Sequence, residues 1–103
     1  GATKRPSLLD IAWVAGIYEG AGCAVRNGAS TLVQVGQKGE WLPHKLLELF
    51  GGRVSGPKPH GMYVWACTGA RARGFLMTVY TFLSPRRKEQ ARKAVGVDHV
   101  AVP

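Results

Sequence analysis

Acidic side chains are scarce in this chain. Six Asp and Glu stand against 14 Lys and Arg in 103 residues, a formal net charge of +8. So large an imbalance in so short a chain points to a polyanionic partner, most simply nucleic acid. Cysteine is scarce too. Cys23 and Cys67 stand alone, with no C-x-x-C spacing and no histidine pair beside them. That excludes a zinc site and suits buried thiols in a reducing compartment, so an intracellular location, not a secreted one, is expected. His44, His60 and His99 are scattered, which removes histidine-based metal sites and Ser/His/Asp chemistry. No apolar run approaches the ~18 residues that a membrane span needs, and no signal-peptide cleavage pattern is present. What remains fits one small domain with one modest core.

The chain reads in order as follows. Gly1-Ala2 resembles a tag-cleavage scar, and residues 1–6 form a basic lead-in. Ser7 followed by Asp10 is a helix N-cap signature, and Leu8, Ile11, Ala12, Ala15 and Tyr18 recur at helical spacing over Ser7 to Gly20. A hairpin follows, with a strand over Cys23 to Arg26, a loop through Asn27-Gly28-Ala29-Ser30, and a strand over Thr31 to Lys38. Thr31, Val33 and Val35 share one face of that strand, and Leu32, Gln34 and Gly36 the other. The second helix covers about Glu40 to Phe50, with Pro43 in its first turn, an apolar face of Leu42, Leu46, Leu49 and Phe50, and Gly51-Gly52 as its stop. A second hairpin runs from Arg53–Ser55 through a long turn, Gly56 to Gly61, to a strand over Met62 to Thr68. Ala70 to Phe82 is a third helix, faced by Phe75, Leu76, Val79 and Phe82. Ser84-Pro85 starts a fourth that Gly96 ends. Residues 7–95 thus make the domain, and residues 96–103 a loose tail. Two helix–hairpin units in series give an α+β fold, a four-stranded antiparallel sheet with helices on one face.

One stretch carries the chain's identity. Ala12, Gly16 and Gly20 lie four apart, a smooth stripe that lets another backbone come close. Within it, Val14-Ala15-Gly16-Ile17-Tyr18-Glu19-Gly20-Ala21-Gly22 resembles the nine-residue motif of the LAGLIDADG homing endonucleases. Three further segments are similar to family elements in the right order: Trp41 to Val54 with its Gly-Gly-Arg ending, Tyr63-x-Trp65, and Arg87-Lys88-Glu89-Gln90-Ala91. The resemblance implies the αββαββα half-domain fold of that family. It also implies site-specific cleavage of double-stranded DNA with Mg²⁺, or another divalent cation such as Ca²⁺ or Mn²⁺. One motif per chain implies a homodimer on a near-palindromic target. Gly16-Ile17-Tyr18 also spells half of the GIY-YIG nuclease signature, but it lies in a helical repeat and no Tyr-Ile-Gly follows.

The sites divide into three groups. For DNA contact the free sheet face and its loops offer Arg26, Asn27, Ser30, Gln34, Lys38, Arg53, Ser55, Lys58 and His60, joined by Arg86 and Lys88 of the basic fourth helix. An amide such as Gln34 suits adenine and an arginine suits guanine, whereas basic residues on phosphates set position and salt sensitivity. For the dimer seam the stripe offers Ala12, Ala15, Gly16, Glu19 and Gly20. For catalysis the resemblance implies a polar residue at Gln37, the basic residue that supports the cleavage site at Arg87, and an acid at the eighth motif position. That position here is Ala21, which has no oxygen to hold a metal; only the backbone at Gly20 or Gly22 remains nearby. The chain is therefore expected to bind DNA and to cleave it poorly or not at all. The alternatives are an RNA-binding maturase that assists intron splicing and a DNA-binding regulator.

Overall fold

The structure, a computed structural model, describes residues 5–96; the expected tag scar and the 97–103 part of the tail lie outside the described residues. The elements run α1 (Leu8–Ala21), β1 (Gly22–Asn27), β2 (Ser30–Lys38), α2 (Trp41–Phe50), β3 (Arg53–Lys58), a 3₁₀ turn (Pro59–Gly61), β4 (Met62–Thr68), α3 (Gly69–Val79), a second 3₁₀ turn (Tyr80–Phe82) and α4 (Pro85–Val95). The four strands form one antiparallel sheet in the order β1-β2-β4-β3. The αββαββα order followed by a fourth helix, and the α+β class, are those expected from the sequence.

Caps fix where the helices begin. Ser7 Oγ accepts from the Asp10 amide at 3.1 Å while the Asp10 carboxylate accepts from the Ser7 amide at 2.9 Å, a reciprocal capping box. Ser84 Oγ accepts from the Arg87 amide at the start of α4, and Gly96 ends that helix in the left-handed conformation only glycine adopts without cost.

The core lies between the helices and one side of the sheet. Val33, Val35, Trp65 and Cys67 face it from β2 and β4, and Val14, Ala15, Tyr18, Leu46, Phe75, Leu76, Val79 and Ala91 meet them from the helices. Aromatic edges organise its centre: Phe75 stands T-shaped to Tyr18 at 5.8 Å and to Phe50 at 5.1 Å, contacts worth about 0.5–1.5 kcal/mol each beyond burial. Trp65 is fully buried, and its indole N–H donates to the Gly51 carbonyl at 2.7 Å, so its one polar atom is satisfied. Thr31, also fully buried, donates to the Ala94 carbonyl at 2.8 Å and ties β2 to the last turn of α4.

Several local expectations are corrected. The first hairpin turn is shorter, because Asn27 already pairs with Ser30 and only Gly28 and Ala29 remain between the strands. β3 continues through Lys58, with a shift in its pairing to β4 between Ser55 and Lys58. Leu8 and Ala12 are exposed, since α1 is apolar on every side and the buried line is the one through Val14, Ala15 and Tyr18. Leu42 and Phe50 are half-buried, and Phe82 is half exposed because α3 gives way to the 3₁₀ turn before reaching it. Cys67 is buried, and desolvation pushes its thiol up to about 11, but Cys23 is exposed.

Candidate nucleic-acid interface

Strand alternation sends the residues between the core positions to the opposite side of the sheet, which no helix of the described residues covers. The register arranges them in rows across the strands. Asn27 pairs with Ser30 at the hairpin tip. Next come Val25, Leu32 and Thr68, then Cys23, Gln34, Ala66 and Arg53, then Gly36, Val64 and Ser55, and last Lys38, Met62 and Lys58. Neighbouring strands stand about 4.8 Å apart, so the open face is a shallow ribbon only a few side chains wide. Gln34, Arg53, Ser55, Lys38 and Lys58 are all exposed on it. His60 lies in the loop beyond, exposed and held at φ 65°, a strained value for a residue with a Cβ. Sequence reasoning named the polar members of these rows except Thr68, and it also missed Cys23 and Val25. The alternation that put Val33 inward was the signal that could have found them.

Arg26 is a correction. It faces Thr31 in the ladder, on the helix-bearing side, and its guanidinium crowds Gly96, where an added Cβ would meet Nη1 at 2.5 Å. Its Nε donates to the Gly28 carbonyl at 3.3 Å, so it braces the hairpin against the end of α4 rather than facing the open ribbon. Lys88 is another. Its ammonium lies 5.5 Å over the Tyr80 ring and is half-buried, while Arg86 on the same helix is exposed. Arg92 donates to the Tyr80 hydroxyl and, at 2.6 Å, to Glu89, whose carboxylate is the main reason its charge is held more firmly than usual.

The motif end of α1 forms a corner with β1, β2 and α4. α1 passes directly into β1 at Gly22, which pairs with Val35, so Ala21 and Gln37 leave the ladder at the same end. Gln37 is exposed and alternates onto the side of Val35, not onto the open ribbon. Arg87, 8% exposed, donates from Nε to the Glu19 carbonyl at 3.1 Å and from Nη1 to Gln90 at 2.8 Å, with its guanidinium 5.5 Å over the Tyr18 ring. Ala21 is exposed and carries only a methyl group. Gly22 is buried and spends its amide on the Tyr18 carbonyl. Among the described residues no group of three or more His, Cys, Asp or Glu could hold a metal ion.

Glu19 is committed to a different task from the acid absent at Ala21, because each of its oxygens accepts a hydrogen bond from Ser84. Oε1 accepts from the Ser84 amide at 2.8 Å and Oε2 from the Ser84 hydroxyl at 2.7 Å. Those bonds, the backbone one first, hold its carboxyl below the usual glutamate range. The dimer-seam expectation is therefore redrawn. Ala12, Gly16 and Gly20 are exposed, and a Cβ added at either glycine would meet nothing within 4 Å. Ala15 is 1% exposed and belongs to the chain's own core, while Glu19 is committed to α4. Beside the stripe Leu9 is 82% exposed, and Trp13 stands edge-on to the exposed Trp41 of α2 at 6.1 Å.

The same architecture occurs in solved structures. The homing endonuclease I-CvuI, in complex with the I-CreI target in the presence of 2 mM Mg with the DNA not cleaved, superposes with a TM-score of 0.71 at 20% identity over 84% of this chain. The chain has the homing endonuclease fold. The archaeal intron-encoded homing endonuclease I-Vdi141I, complexed with DNA, gives 0.64 at 15% identity over 82% of the chain, and the homing endonuclease I-TnaI gives 0.55 at 21% over 76%. The chain spans 64% of the length of I-CvuI, 65% of I-Vdi141I and 63% of I-TnaI. No protein-family model and no curated protein matches the sequence. Among the described residues no helix of this homing endonuclease fold is long and apolar enough to cross a membrane.

Proposed function

We propose that the protein is a LAGLIDADG-type reader of double-stranded DNA that acts as a homodimer and does not cleave. The observation that carries this is the uncovered sheet face, where Gln34, Arg53, Ser55, Lys38 and Lys58 stand exposed in register on a chain of net charge +8. A twisted antiparallel ribbon fits the major groove, whose base edges carry a distinct donor and acceptor pattern. Gln34 and Arg53 would read base edges, with Val25, Leu32 and Val64 against thymine methyls, and Lys38, Lys58 and Arg86 would sit on phosphates. Bound and crystallised DNA in the I-CvuI and I-Vdi141I structures supports the same use of the fold here.

The exposed Ala12-Gly16-Gly20 stripe is the surface we assign to a second copy. Two chains packed there would set two ribbons side by side on inverted half-sites. The I-CvuI structures were obtained with 2 mM Mg or 2 mM Ca, but the residues of this chain do not fit a divalent cation. Ala21 offers no ligand, the Glu19 carboxylate is turned to the start of α4 at Ser84, and among the described residues no cluster of His, Cys, Asp or Glu surrounds the corner. No hydrolytic step is therefore assigned to it.

Selection of bound duplexes from a random double-stranded pool tests this reading. Two inverted half-sites at fixed spacing are expected to be enriched. An unenriched pool, with tight binding to structured RNA instead, would overturn it in favour of a splicing role. On the selected site with Mg²⁺, Ala21→Glu is expected to cut where the unaltered chain does not; failure to cut would remove the disabled-nuclease part of the reading and leave a DNA-binding regulator.

A further inference from the structure

The last turn of α1 and the first turn of α4 are joined by a closed ring of hydrogen bonds. The Glu19 carboxylate takes the amide and the hydroxyl of Ser84, at 2.8 and 2.7 Å. Ser84 Oγ accepts from the Arg87 amide at 3.3 Å, and Arg87 Nε returns to the Glu19 carbonyl at 3.1 Å. α4 has no acidic residue in its own first turn. A carboxylate there complements the helix dipole, and Glu19 supplies it from a different helix.

We infer that Glu19 is a positioning residue that acts through Ser84 and Arg87, holding the Arg87 guanidinium at the motif corner as a ready-made contact for a DNA phosphate. The inference rests on the DNA-binding reading above. Three observations support it. Arg87 is fixed at every level: its backbone by Ser84, its Nε by the Glu19 carbonyl, and its Nη1 by Gln90. Its guanidinium also lies over the Tyr18 ring, which holds the planar group from below. Its Nη2, in contrast, makes no hydrogen bond among the described residues and is not one of their fully buried unpaired atoms, so it keeps some exposure to solvent. An arginine whose fork is already set loses little freedom on meeting a phosphate. Within the motif, the sixth-position acid then holds the corner together rather than binding metal.

The test uses the full chain, a random-sequence duplex pool as probe, and the slope of log affinity against log salt. Arg87→Ala is expected to lower the slope by about 0.9, one phosphate contact. Glu19→Ala should lower it by the same amount, and the double variant should lower it no further, since both changes remove one contact. Glu19→Gln keeps an acceptor for the Ser84 amide and should restore most of the slope. A readout without DNA accompanies it: the Arg87 Nε–H resonance, protected from exchange in the parent, should lose protection in Glu19→Ala and regain it in Glu19→Gln. Should Glu19→Ala fail to fold, Ser84→Ala removes only the Oγ bonds and is read the same way, with a smaller loss. An unchanged slope in Glu19→Ala beside a lowered one in Arg87→Ala overturns the inference at Glu19. An unchanged slope in Arg87→Ala overturns it at Arg87 while DNA binding by the parent stands. Absence of duplex binding by the parent overturns the DNA reading and the inference together.

Discussion

A Cβ at Gly22 would stand 2.1 Å from Cδ1 of Tyr18. The backbone there is extended, at φ −87°, so it is the packed ring and not backbone strain that demands glycine. The Tyr18 ring is itself held by Phe75 and by the Arg87 guanidinium, and has nowhere to go. Gly22→Ala is therefore expected to cost about 1–3 kcal/mol as overpacking, measured as a lower urea midpoint at unchanged slope.

Gly16 shows the opposite. Nothing lies within 4 Å of a Cβ added there, so Gly16→Ala should fold as well as the parent, or gain up to about 1 kcal/mol from helix propensity. Gly16→Leu should fold equally well and yet sediment as a monomer at concentrations where the dimer proposed for the parent would form. A dimeric Gly16→Leu would place the contact between copies elsewhere.

The Tyr18 hydroxyl is buried without a hydrogen-bond partner among the described residues, and burial pushes its pKa up to about 12 despite the nearby Arg87. Removing an unsatisfied polar group relieves its desolvation cost, about 1–3 kcal/mol when fully unpaired. Tyr18→Phe should accordingly be as stable as the parent or more so by about 1 kcal/mol. A loss of stability in denaturant titration would show that the hydroxyl has a partner.

The element order, the caps at Ser7 and Ser84 and the core side of β2 were legible in the sequence, because each rests on a local rule. Alternation alone placed Thr31, Val33 and Val35 inward, and the Ser84-Pro85 pair marked the start of α4. On α1 the small-residue spacing of Ala12, Gly16 and Gly20 marked an outward stripe, but the exposure of Leu8 and the burial of Ala15 were not legible, since a helix apolar on every side has no periodic signal to say which stripe it buries. Ala15 and Gly16 are neighbours in the motif, yet one is core and the other surface. Glu19 was hidden for another reason. Its partner, Ser84, is 65 residues away, and no local pattern links an acid ending one helix to the cap of another.

The carboxyl of Glu19 is held below its ordinary value of 4.5, chiefly by the Ser84 amide and then by the Ser84 hydroxyl. A group whose pKa is lowered by folding adds stability above its unfolded pKa and loses it as pH falls through the folded value. The advantage of the parent over Glu19→Gln in thermal melts should thus be full at neutral pH, shrink as pH drops below about 4.5, and vanish in stronger acid. A constant difference across that range would mean that the charge contributes nothing.

Gln34 and Lys38 lie on the same side of β2 but should report different things. Gln34→Ala should relax the preference at one position of each half-site, by about 1–3 kcal/mol against the wrong base. Lys38→Ala should weaken all duplexes alike and lower the salt slope by about 0.9. Comparing selected and scrambled duplexes for both variants separates base reading from phosphate contact.

The irregular stretch of β3 has a consequence for how the free protein survives in solution. β3 is an outer strand of the sheet, and an outer strand with unpaired amides invites other chains to add to it. Here its pairing slips between Ser55 and Lys58, and within the slip lies Pro57, which has no amide hydrogen to offer, followed by the charged Lys58. This edge is therefore a poor template for strand-by-strand growth. The open face, with Val25 exposed and Leu32, Met62 and Val64 half-buried, is thereby shielded from growth along its β3 edge.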